Sequence, residues 1–215
     1  MIRAILFDLD GILIDFADYH FEALNFALDE VCDRPVLFSE RDNYEGLSTR
    51  QKLACMVEEG RVKAGTEENI YRLKQGHTMA MAARRVRLEP AKVLMCRRLR
   101  KEVGKIGCVS NCIRASVDVL LKAAGLLEFM AVTVSNEDVT HPKPSPDPYL
   151  LAASLLGLSP SHCLAIEDHE RGVQSAKAAG CRVVQMQYQH VNLIGVKRAF
   201  RNCSKGISDD CLARV

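Results

Sequence analysis

Phe7-Asp8-Leu9-Asp10-Gly11-Ile12-Leu13-Ile14-Asp15 is the stretch on which the reading of this chain turns. Residues 2–9 form an apolar run too short for an ordinary helix and suited to a buried strand. Two carboxylates at i and i+2 fall at the end of that run, and a glycine follows them. The acids therefore lie at the carboxyl edge of a sheet, where open α/β folds bind ligands. An Asp-rich turn capping a helix is the plainer account of the same residues.

Further short apolar runs occupy residues 106–110, 131–135, 163–166 and 181–186. They alternate with helix-like stretches, which predicts an α/β fold: a doubly wound, Rossmann-like, mainly parallel sheet with helices on its faces. Met95, Leu99 and Val103 repeat at helical spacing before the second strand. Residues 115–124, 146–156 and 172–179 read as later helices, stopped by Gly125, Gly157 and Gly180. One region breaks the alternation. Residues 16–85 look helical throughout, punctuated at Pro35, Gly46, Gly60 and Gly65, with one apolar face over residues 17–31 and a helix start at Thr66-Glu67-Glu68. The expectation is a small helical domain, residues 16–85, inserted after the first strand of a core made of residues 1–15 and 86–215.

A chain of 215 residues can bury a core and carry one modest insertion. Its 29 Lys and Arg against 27 Asp and Glu leave a net charge of +2, too balanced for a general affinity for nucleic acid or an anionic membrane. Arg84-Arg85-x-Arg87 and Arg97-Arg98-x-Arg100-Lys101 lack interleaved aromatics and read as solvated helix faces. Nine scattered cysteines, Cys211 among them, form no Cys-x-x-Cys pair and suit free thiols in a reducing compartment. With no signal peptide and no run of the ~20 apolar residues a membrane helix requires, the expected location is cytoplasmic.

Three later segments add to the first acid pair. Val109-Ser110-Asn111 ends the second strand with a hydroxyl and amide groups able to hold an anionic oxygen, although a Ser there equally suits a helix N-cap. His141-Pro142-Lys143-Pro144-Ser145-Pro146 fixes one lysine between prolines and so aims a single cation. Ile166-Glu167-Asp168 puts carboxylates at the end of another strand, with Gly172 shortly after, and acids at two strand ends of one sheet suit a hard cation.

In this order the segments resemble the four motifs of the haloacid dehalogenase-like hydrolase superfamily, especially its phosphatase and β-phosphoglucomutase branch. Asp8-x-Asp10-Gly11, Ser110, Lys143 and Glu167-Asp168 match the motifs in turn, and the helical insertion falls where that branch carries its cap domain. The resemblance implies a phosphatase acting on a small phosphorylated metabolite, a sugar phosphate being one candidate. Asp8 would be the nucleophile, forming an aspartyl-phosphate, and Asp10 the general acid and base. Asp8, the Asp10 backbone carbonyl, Glu167 and Asp168 would hold magnesium. Ser110, Asn111 and Lys143 would grip phosphate oxygens.

Specificity is expected on the leaving-group side, from His20, Ser48, Thr49 and Arg50 of the insertion, with Arg50 as the cation for the substrate. Tyr19-His20-Phe21 and Gly46-Leu47-Ser48 resemble cap segments of the mutase. Thr49 departs from it: mutase relatives carry arginine there, and Arg50 stands one residue later. Three alternatives remain open. They are a sugar-phosphate mutase, a dehalogenase, in which the Glu167-Asp168 pair has no purpose, and a non-catalytic phosphate-sensing module of receiver type, which lacks an insertion of this size.

Overall fold

The computed structural model describes residues 1–205, so Cys211 lies outside the described residues. Strands β1 (Ala4–Phe7), β2 (Lys105–Val109), β3 (Val132–Val134), β4 (Cys163–Glu167) and β5 (Arg182–Gln185) form one parallel sheet in the order β3-β2-β1-β4-β5. The chain winds outward from β1 to β3, then crosses back to add β4 and β5 on the other side. β1 is therefore the central strand, and the crevice beside it is the switch point of the topology. Phe7 pairs with Cys108 on one side and Ile166 on the other. That register sets the carboxyl ends of β1, β2 and β4 level, so Asp8, Ser110 and Glu167 emerge side by side.

Between β1 and β2 lie α1 (Ala17–Cys32), α2 (Thr49–Glu58), α3 (Glu67–Arg85) and α4 (Pro90–Val103). Then follow α5 (Arg114–Ala123), α6 (Asp147–Leu155), α7 (Glu170–Ala178) and α8 (Leu193–Ser204). The alternation of side chains along each strand sorts the five core helices onto two faces. Ile5, Phe7, Ile106, Cys108, Leu164 and Ile166 pack with α4, α5 and α8 through Met95, Leu99, Val117, Leu120, Val196 and Ala199. Ala4, Leu6, Val109 and Ala165 pack with α6 and α7 through Tyr149, Ala152, Val173 and Ala176.

The first three helices bury a separate apolar cluster of Leu24, Leu28, Leu53, Met56 and Ile70. Phe16, Ala82 and Val86, where this unit joins the sheet, belong to the sheet's own cluster. The junction is thus packed rather than a loose linker.

Local chemistry explains where elements start. Helix α5 begins at Arg114 with Ile113 at its N-cap, so Ser110 is not the capping residue. Instead the Ser110 hydroxyl accepts from the Cys112 amide at 3.0 Å. Helix α7 begins two residues before Gly172, because His169 Nδ1 accepts from the Arg171 amide at 3.2 Å and caps it. Helix α8 lay outside the sequence reading; Asn192 Oδ1 starts it by accepting from the Ile194 and Gly195 amides. Cys32, Cys55, Cys96, Cys108, Cys112, Cys163 and Cys181 are free thiols. Among the described residues no helix is long and apolar enough to cross a membrane.

Gly107 sits in β2 where an added Cβ would lie 2.5 Å from Val132 Cγ1 and 3.0 Å from the Val132 carbonyl oxygen. Gly107→Ala should therefore lower stability by about 1–3 kcal/mol through overpacking. Urea unfolding of the variant and the parent protein measures this, and an unchanged midpoint would refute the tight β2 to β3 packing.

Candidate active site

The loop after β1 is folded onto itself. The Leu9 carbonyl accepts from the Leu13 and Ile14 amides at 2.9 and 3.0 Å, and the Gly11 amide donates to the Ile14 carbonyl at 2.9 Å. Lys92 Nζ, arriving buried from α4, donates to the Ile12 carbonyl at 2.7 Å. Gly11 has φ +76°, and any Cβ there would overlap Asp168 Oδ2, so glycine both makes the turn and lets Asp168 lie against the loop. Asp8 and Asp10 are thereby held over the ends of the strands.

Lys143 is the centre of the acid cluster. Its side chain is 4% exposed, and its Nζ donates to Asp8 Oδ1 at 2.7 Å, Glu167 Oε1 at 2.6 Å and the Val109 carbonyl at 2.7 Å. All three ammonium protons are accounted for. Tyr149 from α6 donates its hydroxyl to the same Glu167 oxygen. On the far side of that carboxylate, Gly172 leaves the space it occupies, since a Cβ there would overlap the Glu167 side chain.

Asp8, Glu167 and Asp168 offer oxygens that lie within 4.8 Å of one another. Burial and mutual repulsion push all three carboxyls up, Glu167 to about 7 and Asp168 to about 8, against the pull of Lys143. Such a crowded, oxygen-only donor set fits a hard divalent cation, whose charge would relieve the repulsion.

Asp10 has different company. Its Oδ2 is 3.3 Å from His20 Nε2 and accepts from Cys112 Sγ at 3.2 Å, while Lys74 Nζ lies 3.2 Å from His20 Nδ1. Burial pushes the Asp10 carboxyl up, but His20, Cys112 and Lys74 outweigh it and hold the carboxyl below its ordinary range. Asp10 Oδ1 is buried without a hydrogen-bond partner among the described residues. His20 itself stacks edge-on to Phe16, ring centroids 5.0 Å apart, and burial pushes its ring below the usual histidine range.

Asn111 acts as a clasp. Its Nδ2 donates to the Gly46 carbonyl at 3.0 Å and to the Lys143 carbonyl at 3.1 Å, and its Oδ1 accepts from the Lys143 amide at 3.0 Å. The side chain expected to grip phosphate is committed to backbone instead. Gly46 packs so closely on His169 that a Cβ would lie 2.6 Å from Nδ1, and Arg171 Nε donates to the Glu45 carbonyl at 3.2 Å. The 45–46 loop of the helical insertion is thus fixed to the core at two points.

These elements enclose a solvent-open cleft of about 1060 Å³. Asp8, Asp10, Ser110, Asn111, Lys143, Glu167 and Asp168 line it from the core, with His20 and Thr49 from the insertion. Ser48 and Arg50 do not. Ser48 caps α2, its hydroxyl accepting from the Gln51 amide while Gln51 reaches back to the Ser48 amide. Arg50 turns outward, donating to Glu68 at 2.9 Å and lying 4.1 Å over the Tyr71 ring, so the expectation that it serves the substrate is not met. The sequence reading passed over Lys52, Lys74 and Gln75, which line the insertion side. One signal was present: Ile70, Lys74, Thr78 and Ala82 form a buried stripe at four-residue spacing, and a lysine within such a stripe needs a reason.

The raised carboxyls make stability depend on pH. Free Glu and Asp ionise near 4.5 and 3.8, whereas in the folded, metal-free protein Glu167 and Asp168 keep protons to about 7 and about 8. Across that window the folded state binds more protons than the unfolded one, so this contribution is full below about pH 4 and is lost as pH rises to about 8. Relative to Asp168→Asn, the EDTA-treated parent protein should lose thermal stability between pH 5 and pH 8. Millimolar magnesium should restore it more at pH 8 than at pH 5, since cation and proton compete for the same oxygens. Unfolding midpoints measured with and without EDTA test both statements; equal midpoints would remove the cation from this site.

Comparison with known proteins agrees with this geometry. The haloacid dehalogenase-like hydrolase family model matches residues 5–186, which spans the sheet and the insertion. β-Phosphoglucomutase of Bacillus subtilis is 31% identical over 189 residues, covering 83% of this chain and 80% of the relative. A phosphoglycolate phosphatase of Shigella boydii is 29% identical over 207 residues, covering 87% and 82%. The crystal structure of CbbY from Rhodobacter sphaeroides in complex with phosphate superposes with a TM-score of 0.77 at 25% identity, over 91% of this chain and 92% of that one. The chain belongs to the haloacid dehalogenase-like hydrolase family, on its phosphatase and β-phosphoglucomutase branch.

Proposed function

We propose that this phosphoric monoester hydrolase is a magnesium-dependent phosphatase that cleaves a small phosphorylated metabolite through an aspartyl-phosphate on Asp8. The observation that carries the reading is the convergence of Asp8, Ser110, Lys143, Glu167 and Asp168, from four separated segments, on one cleft. Residues 16–85 act as the cap over a core of residues 1–15 and 86–215.

An Asp8 carboxylate oxygen attacks phosphorus while the bond to the leaving oxygen breaks. Lys143, already bonded to Asp8, holds the nucleophile's orientation and offsets charge on the phosphoryl oxygens. The Ser110 hydroxyl and the Asn111 backbone amide bind those oxygens, since the Ser110 amide donates to the Val134 carbonyl, the Cys112 amide to the Ser110 hydroxyl, and the Asn111 side chain is committed elsewhere. Asp8, Glu167 and Asp168, with the Asp10 carbonyl, would hold the magnesium ion, which when bound would supply Lewis-acid stabilisation of phosphoryl charge.

Asp10 then needs a proton to give the leaving oxygen and, later, a free carboxylate to take one from water. Its unpartnered Oδ1 is the available atom. His20, Cys112 and Lys74 favour the carboxylate, whereas an incoming phosphate adds like charge and favours the acid. The group is placed between two opposing influences, which suits a residue that works in both directions.

Asp8→Asn should remove phosphate release from small phosphomonoesters while leaving the circular dichroism spectrum unchanged, and acid-quenched wild-type enzyme should carry phosphate that the variant lacks. Asp10→Asn should lower kcat by about 10² to 10⁴. Full turnover in either variant would overturn its assigned role. A sugar-phosphate mutase is the second reading, favoured by the identity to Bacillus subtilis β-phosphoglucomutase and disfavoured at Thr49, where the mutase cation is missing. With β-glucose 1-phosphate, phosphorus NMR separates the two: inorganic phosphate marks hydrolysis, glucose 6-phosphate marks transfer.

A further inference from the structure

Three side chains from separate segments meet in the cleft: Asp10 in the loop after β1, His20 on α1 of the insertion and Cys112 after β2. Asp10 Oδ2 and His20 Nε2 are 3.3 Å apart, and Cys112 Sγ lies 3.2 Å from each. Oxygen, nitrogen and sulfur thus form a nearly equilateral triangle. Hydrogen bonding does not account for all of it. The thiol carries one proton and Nε2 at most one, so two protons serve three edges and one edge stays unbridged. Asp10 Oδ1, on the same carboxylate, is buried with no hydrogen-bond partner among the described residues.

A tetrahedral cation meets all three edges at once. With bonds of about 2.0–2.2 Å to nitrogen and oxygen and about 2.3 Å to sulfur, it sets its donors roughly 3.3–3.6 Å apart, so these atoms need to spread by only a few tenths of an ångström. The donor types select the ion. A thiolate, an imidazole and one carboxylate suit zinc, whereas magnesium takes oxygen donors and is matched to Asp8, Glu167 and Asp168. All three residues line the cleft, so a cation enters from solvent and keeps its fourth position for water. Binding sends the thiol proton to solvent. A cation on Nε2 leaves the ring proton on Nδ1, 3.2 Å from Lys74 Nζ. Lys74 then accepts that hydrogen bond as a neutral amine, a form toward which burial already pushes it, and its own proton leaves as well.

We propose that Asp10, His20 and Cys112 form a second metal site, for a zinc-type cation, whose occupation switches the enzyme off. A carboxylate bound to the ion neither gives nor takes a proton at the leaving oxygen, and one ligand from α1 joined to two from the core ties the insertion to the sheet edge. Zinc here is an inhibitor beside magnesium rather than its substitute. The site rests on the geometry of its three donors alone; the inhibition rests on the acid and base role given to Asp10 above.

Cobalt(II), which takes tetrahedral zinc positions and reports a bound thiolate by an ultraviolet charge-transfer band, is the probe. Added to the reduced wild-type protein in millimolar magnesium, cobalt should produce that band, and zinc should then bleach it. Cys112→Ser should lack the band. His20→Asn, which keeps the thiol, should lose it at cobalt concentrations that saturate the wild type, and this variant carries the test should Cys112→Ser not fold. No band in the wild type, a band that magnesium removes, or one that persists in the variants would overturn the site. Zinc should also inhibit phosphate release at saturating magnesium. Its half-inhibiting concentration should rise by about tenfold or more in Cys112→Ser, each protein being compared with its own zinc-free rate, since loss of even an outer-shell partner costs about 10–100-fold in affinity. Zinc that bleaches the cobalt band without slowing turnover would keep the site and overturn the switch. An enzyme that releases no phosphate from any ester would overturn the phosphatase reading and the switch, and the cobalt band would still decide the site.

Discussion

Three carboxyl groups buried at one sheet edge repel each other, and the rest of the site is arranged around that repulsion. Asp8, Glu167 and Asp168 come together because parallel strands in register end at one level. One ammonium, Lys143, reaches two of them and a backbone carbonyl, which fixes its position. A single positive charge against three acids leaves an excess of negative potential, and the acids respond by holding protons to higher pH. The same excess gives the edge an affinity for a divalent cation and prevents it from welcoming a phosphate unaided. Ordinary core packing would have avoided the arrangement, so function rather than stability accounts for it.

The cap wall has the opposite polarity. Lys52 and Lys74 face a floor of carboxylates across the cleft, with Asp10 and His20 between them. Asp10 therefore sits between burial, which raises its proton affinity, and His20, Cys112 and Lys74, which lower it further. In the proposed reaction, a proton-transfer group so placed responds to the charge that enters the cleft beside it.

Much of this was legible in the sequence, and the limits have physical causes. Buried parallel strands read as continuous apolar runs, so the sheet could be located to within a few residues, and glycines marked the ends of α5, α6 and α7. Asp8, Asp10, Lys143 and Glu167-Asp168 stand at strand ends or between prolines, where backbone position alone fixes the side chain's neighbourhood. Cap residues lack that advantage. Adjacent helical residues differ by about 100° in direction, so Arg50 and Lys52 cannot be ranked until the packed face of α2 is known. Buried Leu53 and Met56 set that face, and they turn Arg50 outward. Asn111 was misjudged for another reason: its amide can bind a phosphate or a backbone equally well, and only the approach of Gly46 and Lys143 decides.

That clasp also bears on how substrates are told apart. Asn111 ties the 45–46 loop of the insertion to the segment that carries Lys143, and His169 and Arg171 hold the same loop from α7. Helix α2 starts directly after this loop, at Thr49, with Ser48 capping it. The position of Lys52 relative to Asp8 is consequently set by protein contacts rather than by the ligand.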